Sequence, residues 1–239
     1  MSKMSKYYKK KSIVNGYKII KILGEGRYGR AYLGVNDKGQ KVVIKQLKEE
    51  ANTNESKLFY EKDTLKKLDN SSFPKFIDTF KNENKRGYII EYIEGKTFSK
   101  LVYSDRYEFS KAQIYEVCDK LLDILDILYK NNIVHRDIRL PNVIQKENKE
   151  IALIDFGLAR YIDNDDYTQD IDFWYLGDFL LHLYYTTYND DNDMDRPWYE
   201  ELDLTTGEIV FLKKLLGIED TYENIEQIRE DLNKLKNNN

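Results

Sequence analysis

The chain has 239 residues, 41% of them apolar and 33% charged, with a net charge of −4. That length carries two small lobes or one large domain with a real core, and the mixed charge argues against a disordered chain or a basic nucleic-acid binder. The one cysteine, Cys118, excludes an internal disulfide and points to a reducing, cytoplasmic setting. No apolar run is long enough for a membrane span and no signal-peptide segment follows the start, so no membrane span is expected.

In chain order, Lys3, Lys6, Lys9, Lys10 and Lys11 surround Tyr7 and Tyr8, so residues 1–16 read as a basic, flexible, solvated tail. Strand-like alternation follows at Tyr17-Lys21, Ala31-Leu33 and Val42-Ile44, with Asn36-Asp37-Lys38-Gly39 as a hairpin turn. Leu58, Glu61, Leu65 and Leu68 give a helix over 54–68, and Phe76-Ile77 and Tyr88-Ile90 give two more strands. Residues 17–93 are thus predicted to form a five-stranded antiparallel sheet with one helix.

After a joint at 91–95, helical periodicity dominates residues 94–239. Ser110 is the expected N-cap of a helix over 111–129, whose apolar stripe of Ile114, Val117, Leu121, Leu122, Leu125 and Leu128 takes in Cys118 as a core residue. Two short strands, Val143-Ile144 and Ile151-Ile154, flank a polar turn. A helix over 171–188 is apolar enough to be buried on most sides. An acidic loop at 190–195 and helices near 208–216 and 224–235 complete an α+β, bilobal chain with a cleft.

Gly24-Glu25-Gly26-Arg27-Tyr28-Gly29 leads into a strand and not a helix, which counts against a dinucleotide-binding unit. Glycines there let backbone amides approach phosphate oxygens; a plain hairpin tip is the alternative. Lys45 closes an interior strand. Glu61 lies within its helix's apolar stripe, where an inward carboxylate needs a cation, so Lys45 is its natural partner unless both are surface charges.

The most specific stretch is His135-Arg136-Asp137-Ile138-Arg139-Leu140-Pro141-Asn142, with Asp155-Phe156-Gly157 beginning thirteen residues after Asn142. Phosphoryl transfer needs positioning and charge neutralisation more than covalent help. Asp155 and Asn142 could hold Mg²⁺ (Mn²⁺ also fits), Asp137 could accept a hydroxyl proton, and Arg139 could neutralise the moving phosphoryl group.

Together these motifs resemble the protein kinase family over roughly residues 17–188, and the compact bacterial serine/threonine kinase-like proteins in particular. The resemblance implies an ATP- and Mg²⁺-dependent phosphotransferase acting on a Ser or Thr hydroxyl of a protein, possibly itself. Gly24, Gly26 and Gly29 would cover the phosphates with Tyr28 at the tip. Lys45 would meet the α- and β-phosphates, paired to Glu61. Leu23, Ala31, Val43 and Ile144 would wall the adenine. Ile90 would guard the back pocket, and the backbone of Glu91 and Ile93 would meet the adenine edge. Leu65, His135 and Phe156 would stack in an apolar column. Asp172 would brace the catalytic loop.

Three departures stand out. Arg139 replaces the usual lysine with a planar fork. Only fifteen positions separate Gly157 from Asp172, and both an Ala-Pro-Glu triplet and the arginine that pairs with it, expected near Tyr222, are absent. Arg136 would ordinarily receive an activation-segment phosphate; Asp163, Asp165 and Asp166 could stand in for it. A small-molecule kinase or a nucleotide-binding pseudokinase scaffold are the rival readings. Oligomeric state is not legible.

Overall fold

The computed structural model describes residues 6–26, 29–48, 60–82, 85–163, 166–189 and 196–237. The chain divides into two compact units, Met1–Ile93 and Glu94–Asn239. The loop expected at 190–195, the start of the helix expected at 54–68, and Tyr28 lie outside the described residues.

The first unit is built on an antiparallel sheet of β1 (Ile13–Val14), β2 (Tyr17–Glu25), β3 (Gly29–Val35), β4 (Lys41–Leu47), β5 (Phe76–Asn82) and β6 (Lys85–Glu91), in the order β1-β2-β3-β4-β6-β5. It has six strands where five were expected, because Ile13 and Val14 add an edge by pairing with Lys18 and Tyr17. Asn15 and Gly16, both at positive φ (45° and 83°), make the tight turn that folds this edge back. Between β3 and β4, the Asn36 side chain accepts the amides of Lys38 and Gln40 at 3.1 and 2.9 Å, closing the predicted hairpin as an Asx turn.

Period-two alternation divides β3 and β4 into two faces. Tyr32, Val42 and Ile44 join Val14, Ile19, Phe80 and Ile89 in a core cluster. The alternate residues Ala31, Val43 and Lys45 take the other face, with Lys45 opposite both Ala31 and Tyr88, and Val43 opposite Ile90.

The basic start is not a free tail over residues 6–16. Gln46, buried in β4, accepts the Tyr8 amide (3.2 Å) and the Tyr32 hydroxyl (3.0 Å), and donates to the Lys6 carbonyl (2.8 Å). Tyr8 packs against the core, its ring 5.9 Å from that of Phe80. Lysine count governed the expectation, but two aromatic rings and a buried amide govern the fold; residues 1–5 lie outside the described set.

The second unit is mostly helical, with α2 (Lys111–Lys130), α3 (Asp170–Tyr184), α4 (Trp198–Glu201), α5 (Thr206–Leu215) and α6 (Ile225–Asn237); α1 (Tyr60–Leu65) belongs to the first unit. Ser110 caps α2 in a capping box with Gln113. One face of α2 buries Ile114, Val117, Cys118, Leu121, Leu122, Leu125 and Leu128, and burial pushes the Cys118 thiol up, away from thiolate chemistry. Short ladders β10-β9-β7 (Ile151–Leu153, Val143–Gln145, Lys96–Thr97) and β11-β8 (Arg160–Tyr161, Ile133–Val134) hold the loops between helices.

A fully buried carboxylate ties three helices of this unit together. Glu208, at the third position of α5, accepts Lys111 Nζ (2.8 Å), Tyr115 (2.7 Å) and Tyr184 (3.1 Å) hydroxyls, and the Thr205 amide (2.7 Å) and hydroxyl (2.9 Å). Burial alone would raise its pKa, but these donors outweigh it and hold the carboxyl below the ordinary glutamate range. A folded-state pKa that is depressed contributes stability above the unfolded value, lost as pH falls through the folded one. We expect Glu208→Ala to lower unfolding free energy by about 3 kcal/mol at pH 7. In urea titrations, the gap between variant and native chain should shrink below about pH 4.

Candidate active site

The predicted site residues fall on both units, and each group assembles within its own unit. In the first, β4 carries Lys45 on the face away from the core, and α1 carries Glu61. Lys45 Nζ meets both Glu61 carboxylate oxygens at 2.7 and 2.8 Å, and the Tyr88 hydroxyl, from the neighbouring strand, also donates to Glu61. Glu61 is only 3% exposed, so this is a desolvated, fully partnered ion pair and not two surface charges.

The three glycines separate by what surrounds them. A Cβ on Gly29 would stand 2.1 Å from the Gln46 carbonyl, so β3 can approach β4 there only through glycine. A Cβ on Gly24 or Gly26 would meet nothing within 4 Å. Among the described residues, no packing contact requires glycine at either position. Gly26 is fixed by its amide on the Gly29 carbonyl (2.9 Å) and by Lys48 on its own carbonyl (2.8 Å).

Of the residues expected to wall an adenine, Leu23 is 41% exposed, and Ala31 and Val43 are partly exposed on the Lys45 face. Ile144, in β9 of the second unit, is buried. At the end of β6, the Glu91 amide is spent on the Lys75 carbonyl at 2.8 Å, and Ile93 is buried at the boundary of the unit.

In the second unit the loop from β8 to β9 gathers the remaining residues. Asp137 is 6% exposed and accepts from both Arg139 (Nε, and a terminal nitrogen at 3.0 Å) and Asn142 Nδ2 (2.7 Å). Asn142 Nδ2 also reaches the Asp137 carbonyl at 2.9 Å. With its amide nitrogen committed, the Asn142 side chain keeps its carbonyl oxygen as an acceptor. The Ile154 amide bonds the Asn142 carbonyl at 2.8 Å, which brings Asp155 beside this loop. Arg139 registers both acids: its pKa is raised first by the hydrogen bond to Asp137, with the Tyr175 and Asp155 charges adding to it. Asp155 stands in the left-handed region (φ 67°), unusual for a residue with a side chain and typical of functional turns.

Asp172, fully buried in the first turn of α3, fixes the front of the loop. Its carboxylate accepts the His135 and Arg136 amides at 2.9 and 2.7 Å and the Tyr129 hydroxyl at 3.4 Å. Burial pushes its carboxyl up to about 6, against the pull of those two amides. The His135 ring meets Phe156 edge-on at 4.7 Å.

Chemically, the donors suit a nucleotide and a hard cation. Asp155 and the Asn142 carbonyl oxygen are oxygen ligands of the kind Mg²⁺ takes together with phosphate oxygens. Among the described residues no three His, Cys, Asp or Glu side chains cluster as a metal cage, so an ion here would complete its shell from a nucleotide and water.

Sequence reasoning missed Tyr88, Tyr129 and Tyr175. Tyr88 is betrayed only by its register opposite Lys45, which a single strand pattern does not reveal. Among the acids expected against Arg136, Asp163 accepts the amides of Asp166 and Tyr167 (both 2.9 Å), while the Arg136 guanidinium lies 4.7 Å over the Tyr167 ring; Asp165 lies outside the described residues.

Comparison with known proteins places the chain in a family. The family model described as "protein kinase domain" matches residues 17–233. A probable serine/threonine-protein kinase of Bacillus subtilis (strain 168), YbdM, is 34% identical over 91% of this chain and 88% of its own length. The serine/threonine-protein kinases TIO of Arabidopsis thaliana and CLA4 of Candida albicans are 26% and 24% identical over 72% and 73% of this chain, which spans only 15% and 21% of theirs. From motif order, local geometry and these matches alike, the chain belongs to the protein kinase family.

Proposed function

We propose that the chain transfers the γ-phosphoryl group of ATP, with Mg²⁺, to a Ser or Thr hydroxyl of a protein, itself included. The observation that carries this reading is the hydrogen-bonded set of Asp137, Arg139 and Asn142 on one loop, with Asp155 brought beside it by the Ile154 amide on the Asn142 main-chain carbonyl. Lys45, held by Glu61 and Tyr88, would donate to the α- and β-phosphates, and the bare backbone at Gly24 and Gly26 would cover them. Leu23, Ala31, Val43 and Ile144 would border the adenine ring, and the Glu91 carbonyl and Ile93 amide would read its edge.

Asp155 and Asn142 would hold Mg²⁺, which would supply charge neutralisation for the transferring phosphoryl group. The acceptor oxygen forms its bond to the γ-phosphorus as the bond to the β,γ-bridging oxygen breaks, and ADP leaves with that electron pair. The acceptor's proton passes to a carboxylate oxygen of Asp137. Arg139 now occupies both oxygens of Asp137, yet its side chain is 53% exposed. Moving the fork onto the γ-phosphoryl oxygens would free Asp137 for the acceptor and neutralise the transferred charge together.

Incubation with γ-labelled ATP, Mg²⁺ and a Ser/Thr-containing peptide library tests the reading. We expect label on protein hydroxyls and a loss of about 10³-fold in Asp155→Ala with the fold intact by circular dichroism. Equal labelling by both proteins removes Asp155 from the reaction, and label found only on metabolites transfers the reading to a small-molecule kinase. Arg139→Ala should cost about 10²-fold in kcat with little change in KM for ATP.

Asp172 sets the pH dependence. An ordinary aspartate releases its proton near 4, whereas this one holds it to about 6, so its burial favours folding at low pH and costs stability as pH rises through that window. Only the ionised carboxylate can accept both loop amides. We therefore expect kcat to fall as pH drops through about 6. Asp172→Asn, mimicking the protonated form, should show a low kcat without that acid limb.

A further inference from the structure

Arg136 is held in an unusual way. Its backbone lies in the left-handed region (φ 65°), and its amide is fixed on buried Asp172 at 2.7 Å. Its guanidinium donates to the Leu158 carbonyl at 3.3 Å and lies over the Tyr167 ring, its central carbon 4.7 Å from the centroid. The segment that presents Tyr167 is itself tied down. The Ile162 amide bonds the Asn132 carbonyl (2.9 Å) and the Asn132 side chain returns to the Ile162 carbonyl (3.2 Å). Asp163 then receives the Tyr167 amide, and its own amide reaches the Tyr167 carbonyl at 3.3 Å. The ring is therefore delivered to Arg136 by a closed turn that starts where β11 pairs with β8. Among the described residues the Tyr167 hydroxyl has no hydrogen-bond partner, so what the turn offers Arg136 is the aromatic face.

We propose that Tyr167 is a positioning residue for the transfer reaction: its ring holds the Arg136 guanidinium by a cation–π contact, and so keeps the 135–137 turn in the shape that presents Asp137, with no phosphate on the segment. A guanidinium over a phenol ring is attracted by the ring's negative face and stacks on it as a plane. The backbone of Arg136, in a sparsely populated conformation, is the element that such a contact stabilises. Asp137 is the next residue, so the ring acts on the reacting atoms only through this turn. The inference rests on the proposed phosphotransfer.

The test uses the full chain after phosphatase treatment, comparing Tyr167→Phe, Tyr167→Leu, Arg136→Gln and the Tyr167→Leu/Arg136→Gln double variant. Tyr167→Phe keeps the ring and removes any phosphorylatable hydroxyl, so its kcat should equal that of the native chain. Tyr167→Leu should lower kcat about tenfold with KM for ATP within about twofold, and the double variant should be no slower than Arg136→Gln alone. A proton NMR readout is independent of turnover: the Arg136 Hε resonance, identified by its loss in Arg136→Gln, should be shifted upfield by the ring in the native chain and Tyr167→Phe, but not in Tyr167→Leu. The proposal is overturned if Tyr167→Phe falls as far as Tyr167→Leu, if Tyr167→Leu matches the native chain, if the two losses multiply in the double variant, if dephosphorylation abolishes turnover, or if no ring shift is present. A native chain that shows the ring shift but transfers no phosphoryl group instead overturns the phosphotransfer reading, and with it any catalytic use of the contact.

Discussion

A carboxylate without solvent, Asp172, is the constraint on which the second unit's chemistry depends. α3 is apolar along most of its surface and is buried for that reason, and it takes this acid down with it. A buried carboxylate must be satisfied, and the nearest donors are the backbone amides of His135 and Arg136. Their alignment forces Arg136 into the left-handed region, and the turn that results sets the direction of Asp137. The order of causes thus runs from hydropathy in a helix to a backbone torsion in a loop, and only then to a carboxylate that can take a proton.

The same rule explains two further buried acids, Glu61 and Glu208. Glu61 answers its burial with a bidentate lysine and a tyrosine, Glu208 with a lysine, two tyrosines and a threonine cap. In each case a phenol supplies a neutral donor that adds no further charge to desolvate. The chain is rich in tyrosine, with 20 residues, and uses several where a carboxylate would otherwise lack a partner. Glu208 joins α2, α3 and α5 through these side chains alone.

Local signals were legible in the sequence, and non-local ones were not. The α2 cap was readable because Ser110 and Gln113 are three residues apart and act on one turn. The hairpin at Asn36–Gly39 and the helix face around Cys118 were readable for the same reason. Lys45 with Glu61, and Asp137 with Asn142 and Asp155, were reached through motif spacing, and the structure does bring each group together. Tyr88 against Glu61 and Tyr167 against Arg136 depend on strand register and on the path of a loop, which no single segment encodes. The edge strand at Ile13–Val14 was missed because composition outweighed two short apolar residues beside a turn.

Gln46 carries one further implication for how this polypeptide is handled. Its amide is sealed inside β4, and two of its bonds run to the backbone of residues 6 and 8, far back along the chain. Removing the opening ten residues as dispensable would strip Gln46 of its Lys6 acceptor and Tyr8 donor, leaving it the Tyr32 hydroxyl, and would take the Tyr8 ring away from Phe80. The practical start of the folded body therefore precedes the first long strand, and shortened versions designed from motif positions alone would begin too late.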